Sequence, residues 1–380
     1  AGADAELQRD PFAGGDDPDA AQDEAVGFGQ STSLVDRLLG DVTAARQSLS
    51  LNDAFNGLAE DSIRATVGGE ASITAREGGS LEILAGGASV GSIAGAHGVA
   101  LVRRGTAVET RIGSGATLTA MGSRMRIGAL VDVNDGNPQA IAGTAGLIAA
   151  GAGVSDIRIG RAVTVDIAAD ATLGSRDTLE VIAQEDSATR AKVTAGTVGL
   201  IGAGTSIANA FRESTVAVTL NNADLSSTNV DVIARRFGTV EADVDFLSVG
   251  LAAVGVTSAL ARDTSDVSID LGTAKLTGLD VRVEALNAGD VLSDAKGNIG
   301  GLGAAGVHNS NARKISETSI LGSLVRLTAT NVTMIAKDNV LNGPNARVVA
   351  TARSTTIGGV AVGGSLAQAR NESDVLVDID

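Results

Sequence analysis

There is no cysteine, tryptophan or tyrosine among the 380 residues, and there are only six phenylalanines and four prolines. The lack of cysteine excludes a disulfide framework and thiolate metal sites. So few aromatics remove the large side chains that fill a round globule, and the flat platforms on which sugars stack. Basic residues are scarce as well: 29 Lys and Arg against 45 Asp and Glu leave a formal charge of −16. No run of Lys or Arg suggests nucleic acid or an anionic membrane as a partner. No run of 18 apolar residues occurs, so no transmembrane helix is predicted.

What the chain does have is glycine (49 residues) and aliphatic side chains, set at a fixed interval. Leu179-Glu180-Val181-Ile182-Ala183 returns 51 residues later as Val230-Asp231-Val232-Ile233-Ala234, then as Val281 to Ala285 and Val332 to Ala336. A second strand keeps the same step, Val216 to Leu220 and Val267 to Leu271, as do Gly199, Gly250 and Gly301, each followed by leucine. A fixed period of this size predicts stacked units that bury their apolar faces on one another. Strict alternation over 240–246 sets Val240, Ala242, Val244 and Phe246 on one face and three acids on the other.

The predicted fold is therefore all-β: a parallel β-helix, or β-solenoid, of about six units over 62–380, right-handed by the crossover rule. A 51-residue unit halves into two stretches of about 25, so two coils per repeat are expected, with one broad, flattened coil as the alternative. The chain has no basic-then-apolar leader and stops inside a strand pattern at Val375 to Asp380. It is expected to be part of a larger protein. Residues 1–61 form a separate acidic segment, in which the first 60 residues carry twelve Asp and Glu against three Arg. Positions 1–30 read as disordered and 31–49 as a helix, with Leu34, Leu38, Leu39, Val42 and Ala45 at helical spacing.

Three steps depart from the period. Met125 to Ala129 precedes Leu179 by 54 residues, Leu81 to Ala85 precedes Met125 by 44, and Ser373 follows Ser316 by 57. The two stretched units carry the turn-forming clusters Asn134-Asp135-Gly136-Asn137-Pro138 and Leu341-Asn342-Gly343-Pro344-Asn345, where both prolines of the repeat region sit. Two displayed loops are predicted, with Asn134, Asp135, Gly136, Asn137, Asn342, Gly343 and Asn345 placed to meet a ligand.

Nothing in the sequence predicts catalysis. His97 and His308 lie in different units without a metal-spaced companion. Glu180, Asp231 and Arg282 fall on adjacent rungs and read as a solvated face of mixed charge that blocks sideways aggregation. Asp132 to Asn137 approximates a calcium loop, but glycine stands where a ligand is needed, so a turn is the better reading. Calcium is the one cofactor left open. The glycine runs lack the Lys-Ser/Thr ending of a phosphate loop and recur at the stacking period, so they serve the stack.

Units that pair a Val-x-Val-x-Ala strand, an Ala- and Gly-rich run such as Val198 to Gly204, and a Val-x-Val-x-Leu strand resemble the giant surface exoproteins of Gram-negative bacteria. These are the filamentous-haemagglutinin-like and leukotoxin-type filamentous adhesins. The resemblance covers about residues 62–380 and implies a secreted β-helical fibre at the bacterial cell surface, used for attachment or biofilm, with no catalytic residues. A separate option is self-association, end to end or side by side; host or bacterial surface glycans or proteins are the other candidate partners. The alternative is a polysaccharide-active β-helix enzyme of the lyase or epimerase type.

Overall fold

The computed structural model describes residues 64–67, 70–338 and 347–380. The acidic segment 1–61 with its expected helix, and the turn 341–345, lie outside the described residues. Ser62–Asp380 form one unit, in which every regular element among the described residues is a β-strand.

Six short strands stack in parallel as one narrow wall: β1 (Arg64–Val67), β3 (Thr117–Ala120), β5 (Thr172–Ser175), β7 (Asp224–Ser226), β10 (Lys275–Thr277) and β13 (Arg326–Thr328). Each leads into a long excursion. In the first three coils this is a single strand: β2 (Ala71–Ile112), β4 (Arg124–Ile167) and β6 (Thr178–Thr219). In coils four and five it divides at the far turn, into β8 (Asn229–Val249) and β9 (Ala252–Asp270), then β11 (Asp280–Gly300) and β12 (Gly303–Gly322). Coil six comprises β14 (Asn331–Asp338), β15 (Val348–Ile357) and β16 (Val360–Ile379).

Register fixes the size of a coil. Asn229 pairs with Thr178 on one side and Asp280 on the other, so 51 residues carry the chain once round. The repeat is one broad coil, not the expected two. The reason is local: 229–249 has no turn signal to make a third corner, so the outgoing strand runs on until Gly250. The outgoing and returning halves then cover each other, and Ala242 and Val244 share a core with Ala259 and Ala261. A second core fills the end closed by the narrow wall, from Val181, Leu225, Val232, Ile269 and Leu276.

At the far turn the stacking is tight. A Cβ at Gly199, Gly250, Gly301 or Gly358 would collide with the carbonyl oxygen of the glycine one coil below. The glycine interval seen in the sequence is thus a close-approach requirement.

Two alignments differ from expectation. Met125 to Ala129 pair with Ala71 to Ala75, whereas Leu81 to Ala85 lie ten residues further along β2, near Asn137 and Pro138. The apolar run at 81–85 resembles a strand start but is strand interior. Residues 134–138 are not a displayed loop. They lie inside β4, where the register against β6 shifts between Asn134 and Gly136, and Asp135 is the extra residue, fully buried. A proline removes a ladder donor, and a bulge is where a sheet tolerates that loss.

The turns that close each coil place one residue in the left-handed region: Gly115, Asp170, Asn221, Gly272 and Leu324. Leucine is the poor fit, with φ 59° and 74% exposure. Leu324→Gly is expected to raise stability by about 1 kcal/mol, read as a higher urea midpoint; an unchanged midpoint would show that the backbone there carries no strain.

Candidate functional site

Between the two cores runs a belt of buried polar groups. Its position follows from parity: Glu185 continues the inward set Leu179, Val181, Ala183, and Arg236 continues Val230, Val232, Ala234. From the returning strands come Arg161, Arg212, Asp263 and Lys314, all buried. Asp263 accepts hydrogen bonds from Arg236 Nη2 at 2.6 Å and from Arg212 Nε at 3.2 Å. Glu185 accepts from Ser187 and Ser214, each at 2.7 Å, and from Arg161 Nη1 at 3.3 Å. Arg161 also forks onto Asp135. Arg236 Nη1 donates to Asn287 at 3.1 Å, and Lys314 Nζ to Asp338 at 2.9 Å.

The belt is neutral: Arg161, Arg212, Arg236 and Lys314 are matched by Asp135, Glu185, Asp263 and Asp338. Burial alone would push the Asp263 carboxyl up, but Arg212 and Arg236 outweigh it and hold it well below the usual carboxylate range. Glu185 is depressed in the same way by Arg236, Arg212 and Arg161. Burial lowers Lys314, and burial with the neighbouring Arg212 lowers Arg236. A two-residue slip of coil four would carry Arg236 into the apolar position of Ala234. Charges alternate up the stack, so register is specified from inside.

The far edge of the coils has the opposite character. No Asp, Glu, Lys or Arg occurs over 83–102, 136–155, 193–211, 246–261, 297–312 or 354–369. Each of these stretches spans the far turn of one coil. Val90, Ile93, Leu147, Leu200, Leu251 and Leu302 stand exposed there, as do Ile357 and Val360. Single exposed aliphatics are ordinary, whereas here the exposure is renewed on every coil.

The predicted site residues separate. Asn134 is exposed, whereas Asp135 is committed to Arg161 and so unavailable to calcium. Gly136 is buried and Asn137 half-buried; Asn342, Gly343 and Asn345 lie outside the described residues. Among the described residues no group of three His, Asp or Glu could hold a metal. Asp231 and Arg282 are register partners on the outward face, but Arg282 pairs with Glu284, which also takes Arg235 at 3.0 Å. Charged residues ordinarily face outward, which hides the belt in the sequence; inward parity is the signal that reveals it. The surface groove beside the narrow wall is lined by the turn residues Asp170 and Asn222 and by Asp224 and Lys275 at the starts of β7 and β10; Asn222 bonds to Asp170 and Lys275 to Asp224.

His308 is buried at the far end of coil five, where Gly297 and Gly306 leave room for its ring and Thr257 Oγ1 lies 2.8 Å from Nδ1. Burial lowers its pKa. The unfolded chain, with histidine near about 6.5, then binds more protons than the folded one as pH falls. Acid therefore removes stability below about pH 6.5. His308→Phe, which keeps a ring in the space that Gly297 and Gly306 leave, is expected to flatten the fall in melting temperature between about pH 7 and 5. An identical slope in the variant would assign that fall to other groups.

The fold defines a parallel β-solenoid with a neutral internal belt and an apolar outer edge. No protein-family model, curated protein or solved structure matches the chain.

Proposed function

We propose that this chain is a structural and adhesive segment of an extracellular bacterial filament, displaying its uncharged edge for attachment or cell-surface assembly. The observation that carries the reading is that edge. Six coils each bring a charge-free stretch to the same side, while charged groups line the rest of the outer walls. Backbone ladders between coils tie the stripe into one surface and give mechanical continuity along the axis. The resemblance to filamentous adhesins points the same way.

The test is electron microscopy of the purified chain, together with adhesion of protein-coated beads to surfaces. Fibres of constant width, and attachment lost when Leu200, Leu251 and Leu302 are changed to aspartate, are expected. Compact monomers that do not attach, or that turn over polysaccharide, would overturn the reading.

A further inference from the structure

Two columns of like charge run side by side on the outer face of the returning strands. Arg103, Arg158, Phe211, Arg262, Arg313 and Arg370 are register partners on successive coils. Four residues further along each strand the column is Ala107, Ala162, Thr215, Asp266, Glu317 and Asp374. Both columns point away from the cores, as the alternating burial of β9 and β12 requires. Stacked rungs lie about 4.8 Å apart, and like charges directly opposite on neighbouring strands repel.

Neutralisation within the chain is partial. Arg158 pairs with Asp156 at 3.3 Å and sits 5.2 Å from the Phe211 ring, while Arg313 and Arg370 share Glu372. Arg262, Asp266, Glu317 and Asp374 form no ion pair among the described residues. In-strand pairing is out of reach, since four residues span about 13 Å. Asp266 is pushed up, first by burial and then by the charge of Glu317.

From this arrangement we infer that a second copy of this chain binds the face, side by side and level, about a two-fold axis parallel to the stack. The axis passes along the column between the two stripes, Gly105, Gly160, Glu213, Thr264, Ile315 and Glu372. Glu213 and Glu372 each face their own counterpart in the second copy there, an opposing repulsion that Arg313 and Arg370 offset for Glu372. Strands then run antiparallel across the contact and coil faces equal coil. Arg262 meets Asp266 of the second copy, Arg313 meets its Glu317, and Arg370 meets its Asp374. Phe211 meets Thr215, and Arg158 and Arg103 meet alanines. The contact is isologous, so each matched pair occurs twice. Each like-charged stripe gains the opposite charges it lacks within one chain. The uncharged edges stay outside the contact, pointing in opposite directions. This rests on the cell-surface assembly in the proposed function and names a surface for it.

Sedimentation velocity of the whole chain at about 0.05 M and about 0.5 M salt is the test. A dimer at low salt whose dissociation constant rises at least tenfold at high salt is expected. R262E/R313E sets acid against acid at coils four and five of the contact, D266R/E317R sets base against base there, and each variant alone should be monomeric. Mixed in equal amounts the two should form a heterodimer, a rescue that misfolded variants could not give. A wild-type chain monomeric at both salt concentrations overturns the inference, as does a single variant that dimerises like wild type. So does a mixture that stays monomeric while both variants keep the wild-type circular dichroism spectrum. Constant-width fibres from a chain monomeric in these runs would overturn the pair and leave the filament reading standing.

Discussion

Asp263→Ala is expected to lower stability by about 3–5 kcal/mol, because it leaves Arg212 and Arg236 buried against each other without their shared counter-ion. Both guanidiniums are fully enclosed, so water cannot replace the carboxylate without opening the coil. The measurement is the urea midpoint, monitored by far-ultraviolet circular dichroism. A loss below about 1 kcal/mol, the range of exposed pairs, would mean that solvent reaches the belt. The effect also carries a pH signature. The folded pKa of Asp263 is depressed, so its contribution is complete above the unfolded carboxylate value near about 4. It is lost as pH falls through the folded value. Wild type should therefore lose more stability on acidification than Asp263→Ala, and equal losses would contradict the assignment.

Phe246→Ala is expected to cost about 3–5 kcal/mol. The ring is the largest apolar side chain that is fully enclosed, in a core otherwise built from alanine, valine and isoleucine. It occupies space that Gly204 and Gly255 leave free, and a Cβ at either glycine would run into it. Small neighbours cannot lean into the cavity that remains. Gly255→Leu alone should also destabilise, by collision with the ring. Joined with Phe246→Ala it refills the space, so the double variant should be more stable than either single one. Strict additivity of the two losses would show that they do not share a cavity.

Much of this fold was legible before any coordinate. The four copies of the 179–183 signature fall in mutual register, and Ser316 stands opposite Ser373 although 57 residues separate them. The glycines at 199, 250 and 301 proved to be stacking positions. Coil size is not legible in the sequence, because period 2 gives the direction of a side chain but not how far a strand runs before turning. The cluster at 134–138 is an irregularity, as its composition predicts, but it is a bulge inside β4 and not a displayed loop. Composition alone does not distinguish a turn that leaves the sheet from a bulge that tucks a carboxylate inward to meet Arg161. The charged columns were invisible as a run of basic residues, since their members stand 51 or more positions apart.

By itself the sequence determined that the chain stacks parallel strands at a fixed step, and which apolar residues turn inward, because period and parity are local properties of the backbone. Only the tertiary structure decided which distant residues become neighbours. It set Arg236 between Asp263 and Asn287, gathered the uncharged stretches into one edge, and aligned Arg262, Arg313 and Arg370 beside Asp266, Glu317 and Asp374. The physical reason is that these contacts run across the strands, along the stacking axis. Their partners are set by how many residues one coil consumes, a quantity fixed by where opposite walls can cover each other and not by any local preference.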